Sequence, residues 1–298
     1  MKLLKNSNYD LVDRMHPLYY AIPAMLLYFI FFLIPIVMNF GFSFTNWTAF
    51  FKEVQFVGLE NFKSLFKEMR LLNVLKNTFT YVITVSFFQN VFGFLLALAL
   101  HKRTLLNSIF RGIIFFPCLV SMVVWGQLYS SILDPKGILN RVLSIIFFSD
   151  ISVPWLGSRF FTIFIVAFVN VWVWTGFTMM IYITSINTIP SEILDAGDID
   201  GINWFGRIKN IIVPLIMPGI TINVIITIIG SMKEFDVIQV LTKGGPGRAT
   251  EVFNTLIYEK ISTGLYGYGA ALNLFLILLI AAIAFPLYNR MSRRIIEL

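Results

Sequence analysis

Charged residues are absent from six long stretches of this 298-residue chain. The stretches cover residues 15–51, 77–101, 112–133, 160–191, 210–232 and 261–289. Each has room for the roughly 20 residues that an α-helix needs to cross a bilayer. They are rich in Phe, Ile, Leu and Val and lack the strict alternation of a membrane strand. The sequence therefore predicts an all-α integral membrane protein with six transmembrane helices.

We expect these helices at residues 18–44, 77–100, 110–133, 160–187, 210–232 and 268–289. The connecting loops are too short for a domain with its own core. The chain thus divides into an N-terminal tail (1–17), a six-helix domain (18–289) and a C-terminal tail (290–298). Loops 45–76 and 233–267 are long enough for short amphipathic elements. Pro117 and Pro286 mark either kinks or helix ends.

The charges outside the spans indicate an orientation. Six spans place both termini on one side of the membrane. If that side is the cytoplasm, the inner segments hold 11 Lys and Arg in 61 residues, and the outer loops hold 12 in 93. This higher density inside favours cytoplasmic termini under the positive-inside rule.

Composition excludes several other classes of protein. Only 13% of the residues are charged, against about 25% in soluble proteins. The net charge of +7 is spread beside the apolar stretches, which suits lipid headgroups and not nucleic acid. With one cysteine, Cys118, and two histidines, His16 and His101, the chain has no disulfide framework and no Cys- or His-rich metal site.

The segment between the fourth and fifth predicted spans, residues 187–214, is acidic. Pro190 and Ser191 are typical of a helix start, where Ser can cap the first turn. Asp195 and Asp198 then share one helical face, and Gly201 offers a break. Apolar residues recur at helical spacing after the break, at Ile202, Phe205, Ile208 and Ile212. Two short helices here would form either a knob that docks into a soluble partner or a solvated cap that joins two spans.

This segment resembles the cytoplasmic signature of the permease subunits of binding-protein-dependent ABC importers. The signature is Glu-Ala-Ala, then Asp-Gly-Ala, then a helix that ends in Ile and Pro. The matching residues are Asp195, Ala196, Gly197, Asp200, Gly201, Ile202, Ile211 and Pro214. Three positions differ from the family pattern, since Asp195 replaces Glu, Gly197 replaces the second Ala, and Ile208 stands where Phe is usual. The resemblance implies that ATPase coupling involves Asp195, Ala196, Gly197, Asp198, Asp200, Gly201 and Pro214.

A second set of residues is similar to the carbohydrate-type (maltose-like) permeases of that family. It consists of Phe235-Asp236, Leu241 to Pro246, Thr250-Glu251, and Tyr266 to Ala271 before the last span. The resemblance covers roughly residues 18–289. It implies a type I ABC importer permease core in a bacterial inner membrane.

The resemblance also implies partners and a cargo. The partners are a second homologous permease subunit, a dimer of ABC ATPases that binds ATP and Mg²⁺, and an extracytoplasmic solute-binding protein. The cargo is a sugar or oligosaccharide, with glycerol phosphate or a polyol left open. No cofactor and no enzymatic activity are expected in this chain, which has no Gly-x-x-x-x-Gly-Lys-Ser/Thr loop. An ion-coupled secondary transporter is a weaker alternative, because the six stretches contain no Asp, Glu, Lys or Arg.

Four residues are candidates for contact with the cargo. Thr227, Ser231 and Glu234 fall at i, i+4 and i+7, which predicts one stripe of the fifth helix. In the maltose-type family the corresponding positions contact sugar, as does the position that matches Phe177 on the fourth helix. Alternatively, Thr227 and Ser231 bond their own helix carbonyls and Glu234 is an interfacial anchor. Two polar residues of the second helix are predicted to bond a neighbouring helix, namely Gln89 and Asn90.

Overall fold

A computed structural model describes residues 21–50 and 53–293. These residues form helices joined by short connections, with one isolated bridge between Thr45 and Phe56. The six spans are Ile22–Phe42, Arg70–Leu100, Leu105–Leu119 with Met122–Ile132, Thr162–Ile186, Trp204–Leu215 with Met217–Met232, and Tyr266–Ser292. The prediction of an all-α membrane protein with six spans is confirmed.

The second and fourth spans form the centre of the bundle and run in the same direction. The rings of Phe88 and Phe168 lie 4.8 Å apart, and farther along both helices Phe94 meets Tyr182 at 5.6 Å. The fourth span is the most enclosed, since 61% of its most apolar 18-residue stretch is buried inside the chain. A helix that is apolar on all sides suits a position surrounded by other helices.

The third and fifth spans are each broken by a sharp bend. The third ends its first half in a 3₁₀ turn that contains Pro117, and the chain then turns by 96°. The fifth turns by 74° at Ile216, between Pro214 and Pro218. Proline has no N–H to donate and its ring clashes with the preceding turn, which explains both breaks. The kink interpretation therefore holds at Pro117, whereas Pro286 lies inside a continuous helix.

The first span buries none of its residues within this chain. It consists of Ile22–Tyr28, a π-helical turn at Phe29–Leu33, and Ile34–Phe42, whose side packs on the sixth span. Large apolar side chains exposed on all other sides are stable only when lipid or another chain covers them.

The loops gather at the two ends of the bundle. The end with residues 43–69, 133–161 and 233–265 is called the Arg70 end, and the opposite end, with residues 187–203, is called the Asp195 end. Four short helices lie at the Arg70 end: Glu60–Lys67, Ile138–Phe147, Asp236–Leu241 and Phe253–Ser262. Short helices were expected in loops 45–76 and 233–267 and are present there. The helix in the loop between the third and fourth spans was not predicted.

Three helices begin earlier than predicted. The second span begins at Arg70 and not at residue 77, the third at Leu105 and not at residue 110, and the fifth at Trp204 and not at residue 210. The second and fifth helices continue past Lys76 and Lys209, the charged residues that bounded the predicted spans, because both side chains are exposed and leave the helix intact. The predicted tails fall largely outside the described residues, and the division into domains stays a prediction.

Candidate functional site

The acidic segment folds as two short helices joined by a tight turn at the Asp195 end. The fourth span ends at Ile186, and a new helix covers Ser191–Ile199. After the turn the chain enters the fifth span at Trp204. The side chain of Asn203 caps this second helix, since its Oδ1 accepts a hydrogen bond from the N–H of Gly206 at 2.7 Å.

Gly201 permits the tight turn, since it adopts a φ of +69°, a left-handed conformation that other residues rarely adopt. Gly197 is buried, and a Cβ atom there would lie 2.6 Å from Cδ1 of Ile211. That atom is the end of a flexible side chain, so the Ala of the family pattern would displace only this methyl group.

The outer surface of the segment combines acidic and apolar groups. Asp195, Asp198 and Asp200 are all exposed. Among them lie Ile199 and Trp204, whose side chains are 87% and 70% exposed. Nη1 of Arg207 donates to Oδ1 of Asp198 at 2.6 Å, which holds the two helices together. An exposed surface of this kind suits a groove on another protein.

The inner side of the segment is fixed to the membrane core. Ile189 and Ile212 are buried in one apolar cluster with Ile183 and Ile186 of the fourth span. Ile193, Leu194 and Ile208 pack against the same cluster. Close-packed side chains transmit displacement, so a force on the segment moves the ends of the fourth and fifth spans together.

Two details of the predicted segment are wrong. Ser191 does not cap the first helix, because Pro190 occupies the N-cap position and Ser191 is the first helical residue. Ile202 precedes the second helix, which begins only at Trp204 after the turn at Gly201. The predicted break at Gly201 and the shared surface of Asp195 and Asp198 are present.

Thr227 and Ser231 lie on the buried side of the fifth span, at 5% and 6% exposure. The hydroxyl of Thr227 donates to the carbonyl of Asn223, and that of Ser231 donates to the carbonyl of Thr227, both at 2.7 Å. These are the bonds within one helix that the sequence left as an alternative. Each hydroxyl oxygen can still accept a hydrogen bond, as Thr227 does from Asn90 at 3.4 Å.

Glu234 lies beyond the end of this helix, which stops at Met232. The predicted i, i+4, i+7 stripe is therefore wrong at Glu234, because the chain turns there toward the next short helix. Oε2 of Glu234 accepts from Nδ2 of Asn170 on the fourth span at 2.6 Å. Oε1 accepts from the N–H groups of Phe235 and Val237 at 3.1 and 3.3 Å. Burial raises the pKa of this carboxyl to about 6.

Phe177, the fourth candidate, is half-buried on the fourth span. Its ring packs edge-to-face with that of Trp174, with centroids 6.2 Å apart at 89°. Trp174 is exposed, so the pair offers an aromatic surface on the outside of this chain.

Residues 89–297 match the model of the family described as binding-protein-dependent transport system inner membrane components. That match covers well over half of the chain. The chain belongs to this family. This permease is 32% identical over 265 residues to the probable ABC transporter permease protein YurN of Bacillus subtilis, with 87% of this chain and 90% of YurN covered. It is 29% identical to the trehalose/maltose transport system permease protein MalF of Thermococcus litoralis, with 87% and 88% covered.

The fold of the permease also matches a solved structure. The similar chain comes from a bacterial alginate ABC transporter in complex with an alginate pentasaccharide-bound periplasmic protein, at a TM-score of 0.80 and 24% identity. The match covers 97% of this chain and 98% of that chain. The expected type I permease core is confirmed. As a member of the family, the permease is a membrane component of a transport system and not an enzyme.

Several polar residues that join spans of the permease were missed by the sequence reasoning. Nδ2 of Asn223 donates to the carbonyl of Thr178 at 3.2 Å, and the hydroxyl of Tyr182 donates to Oδ1 of Asn90 at 2.7 Å. Nε2 of Gln89 donates to Oγ1 of Thr178 at 2.8 Å, which confirms that Gln89 bonds a neighbouring helix. The same is confirmed for Asn90. An uncharged polar side chain inside a charge-free stretch was the available signal for Asn170 and Asn223.

An ionic cluster built on the buried pair of Arg70 and Glu251, with Glu259 half exposed, occupies the Arg70 end. Nε of Arg70 donates to Oε2 of Glu251 at 2.8 Å, and Nη1 donates to Oε1 of Glu259 at 2.7 Å. The hydrogen bond from Arg70 holds the pKa of Glu259 below its usual value. Lys260 and Glu68 form an adjoining pair at 3.3 Å. Arg70 lies 181 residues before Glu251, so nothing in the local sequence indicates the contact.

A cavity of about 460 Å³ lies between the second, fifth and sixth spans. Its polar lining comes from Ser86 and Asn90, and the remaining walls are apolar, for example Ile228 and Met232. Thr227 does not line this cavity, but it contacts Asn90, which does. In residues 21–50 and 53–293 there is no group of three or more His, Cys, Asp or Glu that could hold a metal ion.

Proposed function

We propose that this permease forms half of the translocation path of an ATP-driven importer and is moved by an ATPase dimer that grips the Asp195 segment. One observation carries the proposal. The exposed surface around Asp195 is joined without a flexible linker to the packed ends of the fourth and fifth spans. ATP and Mg²⁺ belong to the ATPase partner, and this chain supplies the contact through which their binding acts.

The geometry supports a lever-like motion. Asp195, Ala196 and Asp198 face outward, while Gly197 contacts Ile211 behind them. Pro214 lies next to the 74° bend of the fifth span, where the helix ladder is interrupted. Movement of the segment would therefore be carried into the first half of the fifth span and absorbed at the bend.

A second permease subunit is the partner that best accounts for the first span. A single span held only by the sixth one leaves most of its apolar surface uncovered. A homologous subunit would cover that surface and close a path between the two chains. A path inside this chain alone is disfavoured, because Thr227, Ser231 and their neighbours are packed against each other.

The proposed cargo is a carbohydrate delivered by an extracytoplasmic binding protein. Support comes from relatives named for trehalose/maltose transport and from the transporter named for alginate. Sugar hydroxyls need hydrogen-bonding partners when they leave water. The carboxylate of Glu234 and the amide of Asn170 form such a pair beside the fifth span, and Phe177 with Trp174 would add an aromatic stacking surface.

Uptake by the complete complex in proteoliposomes tests the coupling proposal. Asp195→Lys reverses a charge at the gripped surface and should reduce ATP-driven uptake by about tenfold or more, because a charged interface contact contributes more than about 1.4 kcal/mol. Asp195→Glu should retain uptake. The matched control is Asp150→Lys, a charge reversal at an exposed position of the Arg70 end. Equal uptake by Asp195→Lys and the control would exclude the grip.

The same vesicles test the cargo. Oligosaccharides, a polyol and a glycerol phosphate are offered with the cognate binding protein, and solute-stimulated ATP hydrolysis is recorded for each. Stimulation by oligosaccharides is the expected outcome. Stimulation by the polyol or the glycerol phosphate alone would show that the cargo is not an oligosaccharide. The result of the coupling experiment would be unaffected.

A further inference from the structure

One helix of the Arg70 end exposes an apolar face although it is too short to span a membrane. It covers Ile138–Phe147 and lies in the loop between the third and fourth spans. Its ten residues would reach about 15 Å, half of a hydrocarbon core. This helix takes no part in the coupling or cargo sites described above.

The exposed side chains form one continuous face. Ile138, Val142, Ile145 and Ile146 follow the i, i+4, i+7, i+8 spacing of a single helical stripe. The exposed fraction of Ile145 is 73%, and Phe148, at the left-handed C-terminal end, reaches 96%. Water next to such a stripe is unfavourable, so the face requires an apolar environment.

The opposite side of the helix is fixed to the loop by Asn140, which is 1% exposed. Nδ2 of Asn140 donates to the carbonyls of Pro135 and Val153 at 3.0 and 2.9 Å. Its Oδ1 accepts from Nε1 of Trp155 at 3.0 Å. These bonds prevent rotation of the helix, so the apolar stripe is held outward.

The attachment of the helix keeps it at the level of the membrane surface. Residues 133–137 connect it to the end of the third span, and five residues reach at most about 18 Å. The second half of the third span contacts it and also exposes apolar side chains, at Val123, Val124 and Leu128. The helix is therefore packed against a membrane-spanning element that itself presents apolar side chains.

The charges around the helix favour lipid over a protein groove. Arg141 is the charged residue within Ile138–Phe147, and it lies at the edge of the apolar stripe, where a long side chain can reach phosphate groups. Lys136 precedes the helix, and the nearby acids Asp134 and Asp150 lie outside it at either end. A basic residue beside a bulky apolar stripe is typical of helices that lie in the lipid interface.

We propose that Ile138–Phe147 is an interfacial anchor that lies in the leaflet at the Arg70 end, with Ile145 and its neighbours among the acyl chains. The anchor holds the third and fourth spans at a fixed depth. The two spans then stay at a fixed depth at the Arg70 end while the Asp195 segment moves at the opposite end.

Depth-dependent fluorescence quenching of the complete transporter tests the anchor. The background is Cys118→Ala, and the single cysteine is introduced as Ile145→Cys and labelled with an environment-sensitive dye. The matched control is Lys63→Cys, on the charged side of another short helix at the same end, where the lysine side chain is 62% exposed. Both are reconstituted in nanodiscs of phosphatidylethanolamine and phosphatidylglycerol, with or without lipids that carry a nitroxide near the headgroup.

The probe at position 145 should show blue-shifted emission and lose intensity with the nitroxide lipid, whereas the probe at 63 should do neither. Emission at 145 equal to that at 63 would mean that the face is in water and would overturn the anchor. Blue-shifted emission without quenching would mean that a protein covers the face, which also overturns it. The measurement is repeated with the dye attached at Val142→Cys, a less disruptive variant. A gel-filtration profile that matches the parent complex confirms that each variant is folded.

Discussion

Glu234 carries a buried carboxylate that has no positively charged partner. Its carboxylate accepts hydrogen bonds from Asn170, Phe235 and Val237, none of which carries a positive charge. Burial raises its pKa from 4.5 to about 6, and the nearby charge of Asp236 acts in the same direction. The folded chain therefore holds this proton more tightly than the unfolded chain does. The stabilising contribution is complete below about pH 4.5 and is lost as the pH rises through about 6.

Glu234→Gln is expected to remove this pH dependence. Between pH 4.5 and 7 the wild type should lose about 2 kcal/mol relative to the variant, since one pKa unit corresponds to about 1.4 kcal/mol. At pH 4.5 the two proteins should be similarly stable, because the protonated carboxyl of the wild type, like the amide, presents one carbonyl acceptor and one donor group. Thermal unfolding in detergent at several pH values measures the difference. Asp150→Asn, at an exposed acid, is the control, and parallel curves for wild type and Glu234→Gln would contradict the assignment.

At the scale of elements, the charge-free stretches predicted all six spans because a bilayer core tolerates few unpaired charges. The same rule misplaced the start of the second span, since the helix continues past the exposed Lys76 and begins at Arg70. Arg70 pairs with Glu251 and Glu259, which are distant in sequence, so only the folded chain brings these charges together. The short helix Ile138–Phe147 was missed because its seven apolar residues are interrupted by Asn140, Arg141 and Ser144, so the segment looks like an ordinary loop.

The candidate site was predictable to a different extent in its two parts. The Asp195 segment follows local rules, in which proline starts a helix and Gly201 ends it, and its shape was largely anticipated. The surroundings of Glu234 depend on where the fifth span stops, and this end has no strong local signal. Asn170 stands out as a polar residue in a charge-free stretch, but its role depends on a partner 64 residues away, which the sequence does not indicate.

The Arg70 cluster is expected to hold the loop of residues 243–252 against the second span. Arg70→Ala would leave Glu251 buried without its partner, and removal of one member of a buried pair costs about 3–5 kcal/mol. Lys63→Ala removes an exposed pair with Glu60 that water and salt screen, so its effect on stability should be much smaller than that of Arg70→Ala. Thermal unfolding and the rate of proteolysis within 243–252 measure both effects. Similar losses in the two variants would show that the cluster does not fix the loop.

At the scale of the whole molecule, the two ends of the bundle differ in where their basic residues lie. At the Arg70 end, Arg70 pairs with the buried Glu251 and the half-exposed Glu259, and exposed basic residues such as Lys63 and Lys136 lie on the longer loops. At the Asp195 end, Lys102, Lys209 and Arg290 are exposed at the ends of spans. Exposed basic residues on short connections are the ones that the positive-inside rule counts. Their distribution supports the proposal that the Asp195 segment lies in the cytoplasm, where an ATPase could reach it.

Cysteine labelling from each side of the membrane tests this orientation. In the Cys118→Ala background, Lys102→Cys marks the Asp195 end and Lys63→Cys marks the Arg70 end, both at exposed positions. A membrane-impermeant maleimide should label position 63 in spheroplasts and position 102 in inside-out vesicles, because each preparation exposes only one face of the membrane to the reagent. The opposite pattern would place the Asp195 segment outside the cell, out of reach of any ATP-driven partner. Labelling of either position in both preparations would mean that the bundle inserts in two directions, and the charge difference between its ends would then be too small to set its topology.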